Sequence, residues 1–189
     1  KNLETISQID RNVALFNGDQ SGVLDVLQVG LDSSHKRQTG IDENPIKMAE
    51  TILLYSTVLG HHKRFPESIK FCEDALRRLR EKLSPDHTIV AEAYYCLGFL
   101  HFQVSSFEEA LGYILQALQL RTTKLGEMHP DVENTARLLG HVYGALGHSD
   151  DALYYFNKAL KWRRARKARR NQSSDEIEML IGMGKLHLD

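Results

Sequence analysis

The chain has 189 residues, of which 42% are apolar, and its formal net charge is −1. It contains no run of 18 apolar residues and does not open with a basic-then-apolar segment, so neither a membrane span nor a secretory signal is predicted. Two cysteines, Cys72 and Cys96, are too few for a disulfide framework. We expect two buried thiols in a reducing compartment, with a disulfide between them as the alternative.

The charge is unevenly distributed along the chain. Residues 161–170 hold seven of the 24 basic residues and no acid, which leaves 17 basic and 25 acidic residues elsewhere. The sequence therefore combines an acidic body with one cationic segment, which we refer to as the basic run.

A pattern of small and large residues recurs every 42 residues. Gly98 and Gly140 are each followed after 12 residues by alanine, after 16 by a large apolar residue and after 19 by a second alanine. A weaker copy starts at Ser56 and a further copy includes Gly184. Internal repeats of this length indicate consecutive supersecondary units that bury their surfaces against one another.

Each copy is predicted to be a pair of helices, because its apolar residues recur at three- and four-residue steps. The predicted helices are 3–16, 20–35, 45–61, 66–83, 86–103, 107–125, 130–146, 150–170 and 175–188. They define a degenerate repeat (1–44), three repeats (45–86, 87–128 and 129–173) and the first helix of a further or capping repeat (174–189). Since the chain starts at Lys1 and ends inside a repeat, we expect it to be a piece of a longer protein.

Local signals mark several helix ends. Ser105 with Glu108 fits a capping box for the 107–125 helix. Gly126 is predicted to stop that helix. His87 and His129 stand at equivalent helix starts, where capping or packing would explain them.

The spacing resembles the tetratricopeptide repeat, whose usual length is 34 residues. The longer form found here opens with Leu125-Gly126-x-x-His129-Pro130-x-Val132 and closes its second helix with Ala159-Leu160-x-x-Arg163. It is similar to the kinesin light chain type, and the resemblance covers residues 46–189. The resemblance implies an all-α fold, a right-handed α-α superhelix of antiparallel helix pairs, and a protein-interaction scaffold.

One departure from that family concerns the way it holds peptides. Kinesin light chain repeats typically carry paired asparagines on the first helix, facing a concave groove. The corresponding pairs here are Leu53-Leu54, Tyr95-Cys96 and Arg137-Leu138. A cargo adaptor that uses those asparagines is therefore not favoured.

No motif for catalysis or metal binding occurs in the sequence. The nine histidines form no H-E-x-x-H pattern or three-ligand cluster, and no paired C-x-x-C or phosphate-binding loop is present. We predict a chain without catalytic residues, metal or cofactor, and not an enzyme.

The predicted groove is lined by the first helix of each predicted helix pair. Three equivalent acids, Glu50, Glu92 and Glu178, form a row that Asn134 completes. Aromatic residues cluster in the middle of the groove, where they suit a partner's apolar anchors. The predicted partner is a peptide or helix with apolar anchors and some basic residues; the alternative is that these aromatics pack against a neighbouring repeat. The predicted partner-binding residues are Glu92, Tyr95, Phe99, Phe102, Asn134, Arg137 and His141.

The basic run is a second candidate surface. It suits an acidic protein, a tubulin tail, nucleic acid or phospholipid, although the acidic body disfavours nucleic acid. The alternative is a solvated helix end whose cations complement the helix dipole. Its basic residues are Lys161, Arg163, Arg164, Arg166, Lys167, Arg169 and Arg170.

The function favoured by the sequence is a non-enzymatic scaffold or adaptor for a protein partner. Two other classes stay open: a regulatory or substrate-docking arm of a larger enzyme or ATPase, and a structural subunit of a cytoskeletal or ciliary assembly. We expect a cytoplasmic location, with association to the cytoskeleton or cilium as the narrower option.

Overall fold

The computed structural model describes residues 53–54, 56–60 and 62–186, with side-chain surroundings through Ala168. The helical residues 53–54 and 56–60 precede five helices, and every regular element in these described ranges is α-helical. They are α1 (Phe65–Lys82), α2 (Thr88–Gln103), α3 (Phe107–Leu125), α4 (Pro130–Ala145) and α5 (Ser149–Leu186). The helices predicted before residue 45 lie outside the described residues.

The chain divides into two compact units, Lys1–Ala117 and Leu118–Asp189. In the first unit α2 packs against α1 and against the beginning of α3. In the second unit α4 packs against α5. Each unit therefore contains at least one antiparallel helix pair, as the repeat predicted.

Glycine allows the paired helices to approach closely. A Cβ added at Gly98 would overlap the side chain of Ile114 and lie 3.3 Å from the Ala110 carbonyl oxygen. At the equivalent Gly140, an added Cβ would lie 2.8 Å from the Phe156 ring. Both glycines therefore occupy positions where a larger residue would collide with the partner helix.

The earlier copy of the repeat uses serine at two of these small positions. Ser56 replaces the glycine and Ser68 replaces the first alanine, and both side chains are fully buried. The Ser68 hydroxyl donates a 2.5 Å hydrogen bond to the Ser56 carbonyl oxygen. The polar group is thereby satisfied inside the helix pair, which avoids the cost of an unpaired buried hydroxyl.

The connection inside each helix pair contains a residue in the left-handed region. Lys63, Ser105 and Gly147, spaced by 42 residues, have φ values of 59°, 63° and 82°. The residue after Ser105, Ser106, immediately precedes α3, and its carbonyl accepts from Ala110. The predicted capping box at Ser105 is therefore wrong, because Ser105 is used to end α2 in a left-handed turn.

The connections between pairs follow the prediction. Gly126, at φ 81°, ends α3. His87 and His129 are the N-caps of α2 and α4, and each Nδ1 accepts a backbone N–H two residues later, at 3.3 Å and 3.2 Å. The two histidines are structural caps, and their role follows from the four unpaired N–H groups that begin a helix.

The largest difference from prediction lies in α5. The sequence predicts a break near residues 171–174, but the helix runs without interruption from Ser149 to Leu186. No glycine or proline occurs between Gly147 and Gly182, so nothing in this stretch strongly opposes helix formation. The expected repeat boundary at 173/174 is therefore not marked by a helix break.

We expect Gly98→Ala to lower the free energy of unfolding by about 1–3 kcal/mol, because the new methyl group overpacks the α2–α3 contact. Gly112→Ala on α3 is the matched control, since an added Cβ there meets nothing within 4 Å. That control should stabilise the protein by about 0.5–1 kcal/mol through helix propensity. Chemical denaturation followed by circular dichroism measures whether each variant has a lower or a higher free energy of unfolding than the wild type. Equal changes in the two variants would refute the packing explanation.

Candidate partner-binding surfaces

The groove residues of the first unit lie along α2. Phe99 is 39% exposed, and Glu92, Tyr95 and Phe102 are half-buried. The Phe102 ring packs against the Phe107 ring, with a centroid distance of 5.7 Å. Phe102 therefore contributes to the α2–α3 hairpin, and Phe99 is the most accessible member of the aromatic cluster.

The groove residues of the second unit lie along α4. Asn134 is half-buried, whereas Arg137 and His141 are exposed. The His141 ring stands edge-on to Phe156, at 4.9 Å between centroids. His141 thus packs on the same phenylalanine that fills the space beside Gly140.

The basic run is anchored to the core through Trp162. This side chain is 5% exposed and forms a buried cluster with Val132, Ala136 and Ala159. Trp162 consequently belongs to the α4–α5 interface, and the cations around it are distributed over the remaining faces of α5.

Two cations of the basic run are held by a buried carboxylate. Glu133 on α4 is 2% exposed, and its oxygens lie 2.5 Å from Arg163 Nε and 2.6 Å from Arg166 Nη2. The two arginines balance a charge that could not be buried alone. Periodicity within α5 cannot reveal this pairing, because the acid lies 30 residues earlier in the chain.

A buried cation, Arg121 on α3, contacts the beginning of α4. Arg121 is 5% exposed, and its Nη1 donates to the Thr135 hydroxyl at 2.7 Å and to the Asp131 carbonyl at 3.2 Å. The Thr135 hydroxyl in turn donates to the Asp131 carbonyl at 2.5 Å. Arg121 is thus hydrogen-bonded to residues of α4.

Three other cations of the basic run face solvent. Lys161, Arg164 and Lys167 are exposed. The side chains of Arg169 and Arg170 lie outside the described surroundings. Within the described part of α5, the run is therefore divided between two arginines that pair with the buried Glu133 and three further exposed cations.

Tyrosines near the end of α4 and the beginning of α5 form an aromatic cluster. The sequence did not indicate this cluster as a candidate surface. The rings of Tyr143 and Tyr155 stack at 5.5 Å, and Tyr154 stands edge-on to Tyr155 at 5.0 Å. Burial raises the pKa of the Tyr155 hydroxyl, and the neighbouring Tyr143, Tyr154 and Asp151 add to the shift. Lys158 Nζ lies 5.6 Å from the Tyr154 ring centre and 5.1 Å from that of Trp162.

Large apolar side chains are also exposed on α5. Leu153 is 59% exposed, Tyr154 56% and Leu160 41%. All three exceed the 39% exposure of Phe99, the most accessible aromatic of the predicted groove.

Neither a disulfide nor a metal-binding cluster occurs among the described residues. Cys72 is buried and Cys96 half-buried, and both are free thiols. Across residues with described positions, no group of three His, Cys, Asp or Glu side chains is arranged to hold a metal ion. No helix in the same part of the chain combines the length and apolarity needed to cross a membrane.

These features define a class of protein: an α-helical repeat protein built from consecutive antiparallel pairs. Two models of the tetratricopeptide repeat match the sequence, one over residues 56–89 and the other over 89–165. Together they cover more than half of the 189 residues. The chain belongs to the tetratricopeptide repeat family.

Solved structures with low sequence identity share this fold. BtubC (BKLC) from P. vanneervenii is 18% identical, with 86% of this chain and 81% of that chain covered and a TM-score of 0.58. Nearly identical TPR-like repeats of a kinesin light chain-like protein from Podosopora anserina are 15% identical, with 86% and 76% covered and a TM-score of 0.70. The predicted all-α fold and its kinesin light chain-like repeat are confirmed.

A further solved structure is the Rap protein complexed with Competence and Sporulation Factor. It is 18% identical, with 74% of this chain and 36% of that chain covered and a TM-score of 0.61. No curated protein matches the chain in sequence. The tetratricopeptide repeat is in general a non-catalytic fold for binding proteins, which places this chain among protein-interaction scaffolds.

We expect Glu133→Ala to lower the free energy of unfolding by about 2 kcal/mol, because it leaves Arg166 half-buried without its carboxylate. Arg137→Ala, an exposed change on the same helix, should alter stability by less than about 0.5 kcal/mol. Urea denaturation of both variants measures the difference. A Glu133→Ala protein as stable as the control would contradict the importance of the ion pairs.

Proposed function

We propose that the chain is a non-enzymatic scaffold that binds a partner peptide or helix through the first-helix surface centred on Phe99. The observation that carries this proposal is the exposure of Phe99, at 39%, on a helix whose other aromatics are buried or half-buried. A large accessible aromatic provides much apolar contact area with little rotamer entropy to lose on binding. Glu92 and Tyr95, on the same helix, supply polar groups beside it.

The chemistry of these residues favours a partner with an apolar anchor and a nearby basic residue. The anchor would pack on Phe99, while Glu92, about two turns earlier, offers a carboxylate. On α4, in the second unit, His141 and Arg137 are exposed and Asn134 is half-buried, and these residues stay predicted partner-binding residues of that unit. The Rap protein complexed with Competence and Sporulation Factor is a precedent for this fold holding another molecule.

We expect Phe99→Ala to weaken binding about tenfold or more for peptides selected on the wild-type chain from a phage-displayed random library. Leu115→Ala is the matched control, because Leu115 is 38% exposed but lies on α3. Fluorescence anisotropy with labelled synthetic peptides gives the dissociation constants. Peptides that bind the folded Phe99→Ala chain as tightly as the wild type would refute this surface.

The exposed cations of α5 support a second binding surface, for an acidic segment. Lys161, Arg164 and Lys167 are exposed, whereas Arg163 and Arg166 are engaged by Glu133. Three accessible cations on two turns of helix create a local positive potential on an otherwise acidic chain, which steers acidic partners toward α5.

We expect an acidic amphipathic test peptide to bind this surface about tenfold more weakly when salt is raised from about 50 to about 200 mM, because screening shortens the reach of exposed charges. Lys161→Ala with Arg164→Ala should remove most of that salt dependence. Lys70→Ala with Arg80→Ala, two exposed cations on α1, is the control. Salt-independent binding, or equal losses in both double variants, would argue against an acidic ligand at α5.

A further inference from the structure

One side of α5 is exposed, apolar at its beginning and cationic farther along. Leu153 and Leu160 are 59% and 41% exposed and lie seven residues apart, which places them on one side, two turns from each other. Arg164 and Lys167 continue the same side and are exposed. By helical geometry this side is opposite the buried Trp162. We name Leu153, Leu160, Arg164 and Lys167 the outer face of α5, with Lys161 at its edge.

The repeat provides a covered copy of this face at the end of α3. Leu118 stands 42 residues before Leu160, and Leu125 stands 42 residues before Lys167. Both are half-buried and pack against a cluster that contains Val132 of α4. The equivalent positions of α3 are thus covered by the next helix of the chain, whereas Leu160 and Lys167 are exposed.

Two equivalent arginines show the same difference between the helices. Arg121 on α3 is 5% exposed and donates to the Thr135 hydroxyl of α4 at 2.7 Å. Arg163 stands 42 residues later on α5, and its side chain is 56% exposed. Among the described residues, α5 therefore presents a surface of the kind on which the preceding pair stacks a further helix.

The two copies keep their leucines but differ in charge. Leu153 and Leu160 correspond to Leu111 and Leu118. At three neighbouring positions the residues are uncharged on α3 and cationic on α5. They are Gln119, Thr122 and Leu125 on α3, and Lys161, Arg164 and Lys167 on α5. A helix that covers α5 must therefore offer apolar residues to the leucines and carboxylates to the cations, because a cation buried without a partner is costly.

We propose that the outer face of α5 binds an acidic amphipathic helix of a partner protein, which stacks on α5 as α4 stacks on the end of α3. This deepens the second proposed surface, on which it rests, by giving the acidic ligand a conformation, apolar anchors and a direction. The anchors pack on Leu153 and Leu160, and the acids pair with Lys161, Arg164 and Lys167.

The direction follows from the connection between α3 and α4. Only residues 126–129 join them, so α4 runs back along α3. A partner helix in the same orientation has its N-terminal half beside Lys161 and Arg164 and its C-terminal half beside Leu160 and Leu153. Its acids are then in its first turns, where negative charge also suits the helix dipole. The outer face is about 21 Å long at about 1.5 Å per residue, which a helix of about 15 residues covers.

Fluorescence anisotropy with three labelled synthetic peptides and the 189-residue chain tests the proposal. The first peptide is an amphipathic helix with its acids in the first two turns and its leucines in the last two. The second has the same composition in the reverse order. We expect the first to bind about tenfold or more tightly, because only its order matches acids to cations and leucines to leucines. The third is the first with a central proline, which interrupts the helix and should weaken binding similarly.

Variants of the chain locate the contact. Leu153→Ala with Leu160→Ala should weaken binding of the first peptide about tenfold or more. Leu115→Ala with Met128→Ala, two apolar residues outside α5 that are each 38% exposed, should leave it unchanged. Giving α5 the residues of α3, by Lys161→Gln, Arg164→Thr and Lys167→Leu, should remove most of the salt dependence. Circular dichroism verifies that all variants keep the helical content of the wild type.

The outcomes separate this proposal from the second surface on which it rests. If both peptide orders bind equally and with salt dependence, the surface for acidic segments stands and the stacked helix is wrong. Tighter binding of the reversed peptide, or full binding by the variant without the two leucines, also overturns the stacked helix. If no peptide binds, both proposals are wrong. If light scattering shows dimers of the chain that the leucine variant abolishes, a second copy occupies the face and the partner helix is wrong.

Discussion

The close approach of paired helices at the repeat glycines is the constraint on which the remaining structure depends. Gly98 admits the Ile114 side chain and Gly140 admits the Phe156 ring, so in each pair a large apolar side chain fills the space beside a missing Cβ. That contact fixes the rotation of each helix about its axis, because the glycine must face its partner. The rotation then decides which residues are exposed: Leu97, before Gly98, is fully buried, whereas Phe99, after it, is 39% exposed.

Burial of one acidic residue determines how the basic run is used. Glu133 is almost fully buried on α4 and needs cations from α5, which Arg163 and Arg166 supply. A cationic segment that looks uniform in sequence thereby acquires two sides. One side neutralises a buried charge under the helix, and the other, with Lys161 and Arg164, projects charge into solvent beside exposed leucines. The fold and the proposed interactions thus use different members of the same run.

Short-range signals predicted most helix limits correctly, because capping and helix termination depend on a few neighbouring residues. The predicted 107–125 helix coincides with α3, and His129 caps α4 as its position suggested. Two predictions of the same kind were wrong. Ser105 serves the end of α2 instead of the start of α3, and the polar residues 171–174 do not interrupt α5. In both places the residue types permit two conformations, so their local sequence does not choose between them.

By itself the sequence determined the repeat, its period and the all-α fold, since these follow from the spacing of small and apolar residues along one dimension. It also indicated the surfaces to consider, α2 with its aromatics and the cationic part of α5. Only the tertiary structure decided which members of those surfaces are accessible: Phe102 packs on Phe107, Arg163 pairs with Glu133, and Leu153 and Leu160 are exposed. The physical reason is that exposure and ion pairing depend on residues far apart in the chain, whose proximity arises only when helices pack.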